Sequence, residues 1–342
     1  MEDFGTLIES LRKKLALLMG LIMLVSVFIF YYSYNPQLFS FLNTEPTTWE
    51  LKVPEEEFAA GVMDPDVKYG YLLLSETARW IGPGVEDPEM RYTGNTLSCT
   101  NCHLAGGTQA GSASWVGVTQ RYPQFRGREN KIGTIEERIN GCMERSMNGR
   151  KLPGTGKEMK AMVAYMDWLG NGLPEDQVAK FKGYPKLVIP EEAVDLEKGK
   201  AVYTQHCVIC HGENGQGAPK PDGPGYVYPP LWGTDTYNNG AGMHRVITAA
   251  EFIKSNMPYL EATWDNPKLT DEEAYHVAGY INSFMRPEKG NLAEDFPDKK
   301  LKPVSTPYGP WSDEFSPQQH KYGPFKPIME YYKKEYGITK TK

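Results

Sequence analysis

Positive charge is scarce in this chain. Its 37 Lys and Arg stand against 43 Asp and Glu, a formal net charge of -6. No basic stretch sits where a surface tracking a phosphate backbone would need one, which argues against nucleic acid as a partner. Cysteine is scarcer still: of five, four fall in two short motifs and the fifth, Cys142, is left without a disulfide partner. Only one long apolar run occurs, Leu15 to Tyr32, and it lacks the polar face of a buried soluble helix. No small-x-small cleavage site follows it, the chain continuing instead as Phe30, Tyr31, Tyr32, Ser33, Tyr34, so an uncleaved anchor is expected rather than a removed signal peptide. The run follows Arg12, Lys13 and Lys14 directly and is about long enough to cross a bilayer. The basic end then stays cytoplasmic, and everything after Tyr34 lies across the inner membrane in the periplasm, behind a single-pass anchor.

With 342 residues, 26 Pro and 34 Gly, the remainder reads as two modest globular units joined by long irregular connections. Residues 1–34 are the basic end and anchor. Residues 35–62, with Pro36, Pro46, Pro54 and the acidic Glu55 to Glu57, form a linker. A first domain, 63–183, opens with a helix over Val67 to Trp80 capped near Asp64 and Pro65, is broken at Gly82-Pro83-Gly84, and closes with a helix over Glu158 to Leu169 that ends at Gly170-Asn171-Gly172. A second domain, 184–286, repeats this plan with helices over Ala193 to His206 and Thr270 to Phe284. The tail, 287–342, is rich in Pro, yet Phe296, Tyr308, Trp311, Phe315, Tyr322, Phe325, Tyr331 and Tyr332 are too many aromatics for disorder. It is expected to be an extended segment packed across the body or a partner.

The four paired cysteines form Cys99-x-x-Cys102-His103 and Cys207-x-x-Cys210-His211. In such a unit two thiols add across the vinyl groups of a haem and carry the adjacent His beneath the ring as proximal iron ligand. A zinc ribbon would bring its pairs within about 15 to 20 residues of one another, and a thioredoxin-like motif gives no reason for a His after both pairs. Two covalent c-type haems are the expectation, each inside one helical domain. The second domain resembles class I cytochrome c over about residues 193 to 286, which implies an all-α fold. The resemblance also implies that Met257, in a Met-Pro pair 46 residues after His211, is the sixth ligand, and that the Pro230 carbonyl accepts the Nδ1 proton of His211. Met243 and Met285 read as filler within helical stretches.

The first domain has no Met-Pro pair between its motif and its closing helix. It has Arg138, Cys142 and Ser146 at i, i+4 and i+8, one face of a helix. A Cys142 thiolate on iron, or an inert Cys142 with Met143 or Met147 as ligand, both fit that spacing. Between Arg121 and Lys151 eight basic residues face four acidic ones, a locally basic region in an acidic chain.

Over roughly residues 60 to 285 the sequence resembles the dihaem thiosulfate dehydrogenases, periplasmic cytochromes that join two thiosulfates into tetrathionate and in some members run in reverse. The most specific stretch runs from Tyr122-Pro123 to Asn148-Gly149. The resemblance implies Cys142 as distal ligand of the catalytic haem and Arg128, Arg138 and Ser146 as the anion-binding residues. It further implies electron flow from the first haem to the second and on to a redox partner, a soluble cytochrome, an oxidase or a quinone-linked complex. Where some members carry Lys beside the second-haem Met, this chain has Asn256, with Lys254 two places earlier. A membrane-tethered electron relay without substrate chemistry is the competing expectation; a peroxidase ranks behind it.

Overall fold

The computed structural model describes residues 4–34 and 49–342; residues 35–48, most of the expected linker, lie outside the described residues. The chain forms two units, Met1–Glu50 and Leu51–Lys342. The first contains α1, Phe4–Tyr34, with a mean hydropathy of 2.4 in its most apolar window and no buried residues, a helix long and apolar enough to cross a membrane.

The second unit is mostly helical. It opens with α2 (Pro54–Ala59), α3 (Pro65–Ser75) and α4 (Thr77–Ile81), followed by the hairpin β1 (Gln124–Arg126) and β2 (Lys131–Gly133), then α5 (Ile135–Met143) and α6 (Lys157–Gly170). Next come α7 (Leu196–His206), α8 (Val208–His211), the short pair β3 (Ala218–Pro219) and β4 (Tyr226–Tyr228), α9 (Val246–Asn256) and α10 (Asp271–Ser283). The tail adds α11 (Pro317–Tyr322) and α12 (Lys326–Tyr336).

Each cytochrome-like half is built on one close helix crossing. In the first, α3 lies on α6 with Val67, Tyr71, Leu73 and Leu74 buried against Met159, Met162, Tyr165 and Leu169. A Cβ at Gly70 would stand 2.0 Å from the Ala161 carbonyl oxygen. In the second, α7 lies on α10, and a Cβ at Gly199 would stand 2.3 Å from the His276 carbonyl oxygen. Both crossings therefore require glycine. Gly70→Ala and Gly199→Ala should each cost about 1–3 kcal/mol, because the backbones must separate to admit a methyl group. Thermal unfolding of each variant checks this, and an unchanged midpoint would contradict it.

The helix expected over Val67 to Trp80 is two helices, because Glu76 leaves helical geometry (φ -123, ψ 40). The break has a local cause. The buried Thr77 hydroxyl donates to the Leu74 carbonyl and accepts from the Cys99 amide, both at 3.2 Å, so the chain turns there to hold the first cysteine of the motif. The remaining helices match their expected positions closely. Asp195 caps α7 by accepting from the amides of Glu197 and Lys198, and Thr270 caps α10 in a reciprocal box with Glu273. Met243, in the short 3-10 helix Gly242–His244, packs partly buried against the apolar cluster as expected, whereas Met285 follows the end of α10 and is exposed.

The tail packs on the body rather than standing free, and it is partly helical rather than extended. Phe325, Ile328 and Tyr332 are fully buried in the same apolar cluster as Leu104, Val246, Ile247, Ala250, Tyr275 and Val277. At about 1.5–3 kcal/mol for each such side chain, these anchors make the tail an integral part of the second unit. His320 is held between the Val304 carbonyl (2.7 Å) and Asp313 (2.9 Å), with the Trp311 ring stacked on it.

Candidate functional site

The first motif is folded by its own neighbours. The Asn101 side chain accepts from the Ser98 amide at 2.8 Å, and the His103 amide reaches back to the Cys99 carbonyl. His103 Nδ1 donates to the Ala113 carbonyl at 2.8 Å, and the imidazole lies 4.8 Å from the Trp115 ring centroid. Burial, with the Arg138 charge adding to it and the Ala113 bond opposing it, pushes His103 down to about 4, so the ring is neutral. With Nδ1 occupied as a donor, Nε2 keeps its lone pair for a metal.

Arg138 and Cys142 share one face of α5 as expected. That helix starts at the Thr134–Glu137 capping box. Arg138 Nη1 donates to Cys142 Sγ at 2.7 Å, and its interaction with that sulfur outweighs burial and holds the half-buried guanidinium above its usual pKa. Burial pushes the Cys99 thiol up to about 12 and the Cys102 thiol up to about 11, and in both the Cys142 sulfur adds to the rise. The Cys142 sulfur thus lies within electrostatic reach of both motif thiols, and Arg138 within reach of His103. Tyr184 lies within the same electrostatic reach: burial raises its phenol, as do Cys102 and Cys142, while Arg138 lowers it.

Ser146 is not a third member of the helical face. The helix ends at Met143, and Ser146 lies in the turn beyond it, its carbonyl accepting from Asn95 Nδ2 at 2.9 Å. Asn238 Nδ2 holds the same turn through the Glu144 carbonyl at 2.9 Å. Met143 and Met147 are buried.

Arg128 is held from the tail. Its Nη1 donates to Asp295 Oδ2 at 2.5 Å, to the Gly240 carbonyl at 3.0 Å and to the Tyr308 hydroxyl at 3.1 Å. Asp295 Oδ1 takes Arg145 Nη2 at 2.6 Å. Burial by itself would raise the Asp295 pKa, but Arg128 and Arg145 outweigh it and hold the carboxyl at about 2. In the folded chain both pairs therefore persist down to about pH 2; their contribution to stability is full above about pH 4 and is lost as the pH falls through about 2. Tyr184, Asp295 and Tyr308 are remote from Cys142 in sequence, and only the fold brings them to this region.

The second motif follows α7 and forms α8. Here the expected partner of His211 is corrected by one residue: His211 Nδ1 donates to the Pro229 carbonyl at 2.8 Å, while the Pro230 carbonyl accepts from the Thr236 hydroxyl at 3.0 Å. Successive carbonyls of a Pro-Pro pair point in different directions, so only one can meet the imidazole. The Leu231 amide on the Gly215 carbonyl at 2.8 Å pins the pair in this setting. Burial lowers the His211 pKa, again favouring a neutral ring with a free Nε2.

Met257 caps α9 and packs partly buried against the apolar cluster. Its neighbour Asn256 is fully buried. Asn256 Nδ2 donates to the Gly111 and Phe252 carbonyls, both at 2.9 Å, and Oδ1 accepts from Gln109 Nε2 at 2.8 Å. Gln109 and Gly111 belong to the loop after His103, so this one amide ties the Met257 segment to the first motif. Lys254 is paired with Asp271 at 2.7 Å.

The residues present fit two c-type haems. All five cysteines are free, and each motif offers two thiols plus a neutral His whose Nδ1 is oriented by a backbone carbonyl.

Comparison with known proteins agrees. Residues 90–174 match the family described as SoxA/TsdA, cytochrome c domain, and residues 196–284 match Cytochrome c. Fold and motifs thus define a two-domain c-type cytochrome of the all-α class. The chain is 38% identical over 245 residues to the thiosulfate dehydrogenase of Stutzerimonas stutzeri (strain A1501), covering 72% of this chain and 75% of that one. It is 40% identical over 248 residues to the thiosulfate dehydrogenase of Allochromatium vinosum, covering 71% and 87%. A solved structure of thiosulfate dehydrogenase (TsdBA) from Marichromatium purpuratum superposes with a TM-score of 0.59 at 37% identity, over 67% of this chain and about half, 48%, of that one. The chain belongs to the thiosulfate dehydrogenase family, as the sequence resemblance implied.

Proposed function

We propose that this protein oxidises two thiosulfates to one tetrathionate on the periplasmic side of the inner membrane, to which α1 anchors it. The single observation that carries the reading is the 2.7 Å contact from Arg138 to the Cys142 sulfur, within electrostatic reach of Cys99 and Cys102. A bare electron relay has no use for a cation-paired sulfur in a basic pocket.

Cys99, Cys102 and His103 would hold one covalent haem with Cys142 as its distal ligand, and Cys207, Cys210 and His211 the other with Met257. When bound, the haems accept the two electrons of the reaction one at a time and pass them, first domain to second, to an external redox partner. The chain's own residues do the rest. Arg138 orients the Cys142 sulfur through its hydrogen bond. Arg128, with Arg138 and Ser146, holds the sulfonate end of thiosulfate through charge-assisted hydrogen bonds. Cys142 Sγ then bonds to the outer sulfur with loss of two electrons, and the outer sulfur of a second thiosulfate displaces Cys142 as a thiolate and leaves as tetrathionate. No proton need move.

The test is thiosulfate-dependent reduction of ferricyanide by the detergent-solubilised full chain, run alongside tetrathionate reduction with a chemical donor. Turnover in at least one direction is expected. None in either would leave the electron relay as the better reading.

A further inference from the structure

We propose that Asp295, supplied by the C-terminal tail, is a positioning residue of the anion site: it fixes Arg128 and Arg145 so that the free edge of the Arg128 guanidinium meets the substrate. The inference rests on the thiosulfate reading above. It adds that residues beyond both matched cytochrome segments, which end at 284, complete the pocket.

Four contacts carry it. First, among the described residues every hydrogen bond of the Arg128 side chain runs through one nitrogen, Nη1, to Asp295 Oδ2, the Gly240 carbonyl and the Tyr308 hydroxyl. A guanidinium saturated at one nitrogen keeps its Nε–Nη2 edge for a second, bidentate acceptor, the geometry an oxyanion with two oxygens fits. Second, the Phe296 ring lies 5.0 Å from the Arg128 Cζ, and the Phe296 amide donates to the Arg128 carbonyl at 2.8 Å, so the tail grips both ends of this residue. Third, the other oxygen of Asp295 holds Arg145, whose amide donates to the Cys142 carbonyl at 3.1 Å; one carboxylate thus links Arg128 to the turn that follows Cys142. Fourth, the Tyr308 hydroxyl donates to Asp295 Oδ2 at 2.7 Å and fixes the carboxylate in turn.

Asp295 is only 5% exposed, so it is a structural counter-ion and not a charge that solvent could replace. Two roles then predict opposite signs. If the carboxylate merely cancelled positive charge, removing it would strengthen anion binding; if it positions the arginines, removing it lets both swing and weakens binding.

The experiment is steady-state thiosulfate oxidation by full-length Asp295→Asn, Asp295→Glu and Tyr308→Phe, with the haem spectrum and thermal midpoint recorded for each. Positioning predicts a KM for thiosulfate raised about tenfold in Asp295→Asn, with a smaller effect on kcat, partial rescue in Asp295→Glu, and a rise of about threefold in Tyr308→Phe. Tyr308→Phe removes one hydroxyl and decides the matter should Asp295→Asn fail to fold. A KM unchanged or lowered in the variants, beside an active parent, overturns this inference alone. A parent inactive on thiosulfate and tetrathionate overturns the proposed function and this inference with it.

Discussion

Cys142→Gly is expected to lower kcat/KM for thiosulfate by at least about 10³-fold, more than ~4 kcal/mol of transition-state stabilisation. The size follows from the role. Cys142 is the only cysteine outside the two motifs, and the sulfur that would bond to the substrate cannot be supplied by a neighbour. Glycine also leaves Arg138 with its charge half-buried and its sulfur partner gone. The haem content should not change, because Cys99, Cys102 and His103 are untouched. A variant that keeps both haems and retains the parent rate in ferricyanide reduction would show that Cys142 does no chemistry.

Arg138→Leu should give the second largest loss, about 10- to 150-fold in kcat/KM, the equivalent of one charge-assisted hydrogen bond of about 1.5–3 kcal/mol. Two effects act together. The sulfur of Cys142 loses the donor 2.7 Å away, and the region of the first motif loses a half-buried cation. Removing a positive charge near iron favours the oxidised state, so the potential of the first haem should fall while that of the second stays put. Arg138→Lys keeps the charge but not the planar fork, and is expected to recover the potential better than the rate. Redox titration with steady-state kinetics checks both parts; a rate loss with no shift in the first potential would separate Arg138 from the Cys142 sulfur.

What could be read in the sequence was whatever depends on short range. The Cys99–His103 and Cys207–His211 motifs carry their chemistry within five residues, and Arg138 with Cys142 needs only one helical turn. The capped ends of α7 and α10 are equally local, set by Asp195, Thr270 and Glu273. Three misses had long-range causes. The helix after Asp64 breaks at Glu76 because Thr77 is drawn to Cys99, 22 residues on. Ser146 leaves the face of Arg138 and Cys142 because Asn95 and Asn238, from distant parts of the chain, hold its turn. His211 takes Pro229 and not Pro230 because the Leu231–Gly215 contact sets which carbonyl turns inward.

The tail is the clearest case. Its aromatics signalled that it packs, but no pattern in 287–342 says that Asp295 will reach Arg128, 167 residues earlier, and Arg145, 150 residues earlier. Ion pairing leaves no periodic trace in a sequence. Hydrophobic packing does, which is why Phe325 and Tyr332 were flagged and Asp295 was not.

We propose that the two haem sites are unlike, with Cys142 as a thiolate ligand at the His103 site and Met257 as a thioether ligand at the His211 site. Electron paramagnetic resonance of the oxidised full chain, beside that of Cys142→Gly, tests it most directly. Two low-spin signals are expected in the parent, one of them of the thiolate-ligated type and missing from Cys142→Gly while the other is unchanged. Two signals without thiolate character in the parent, or a thiolate signal that survives Cys142→Gly, would contradict it.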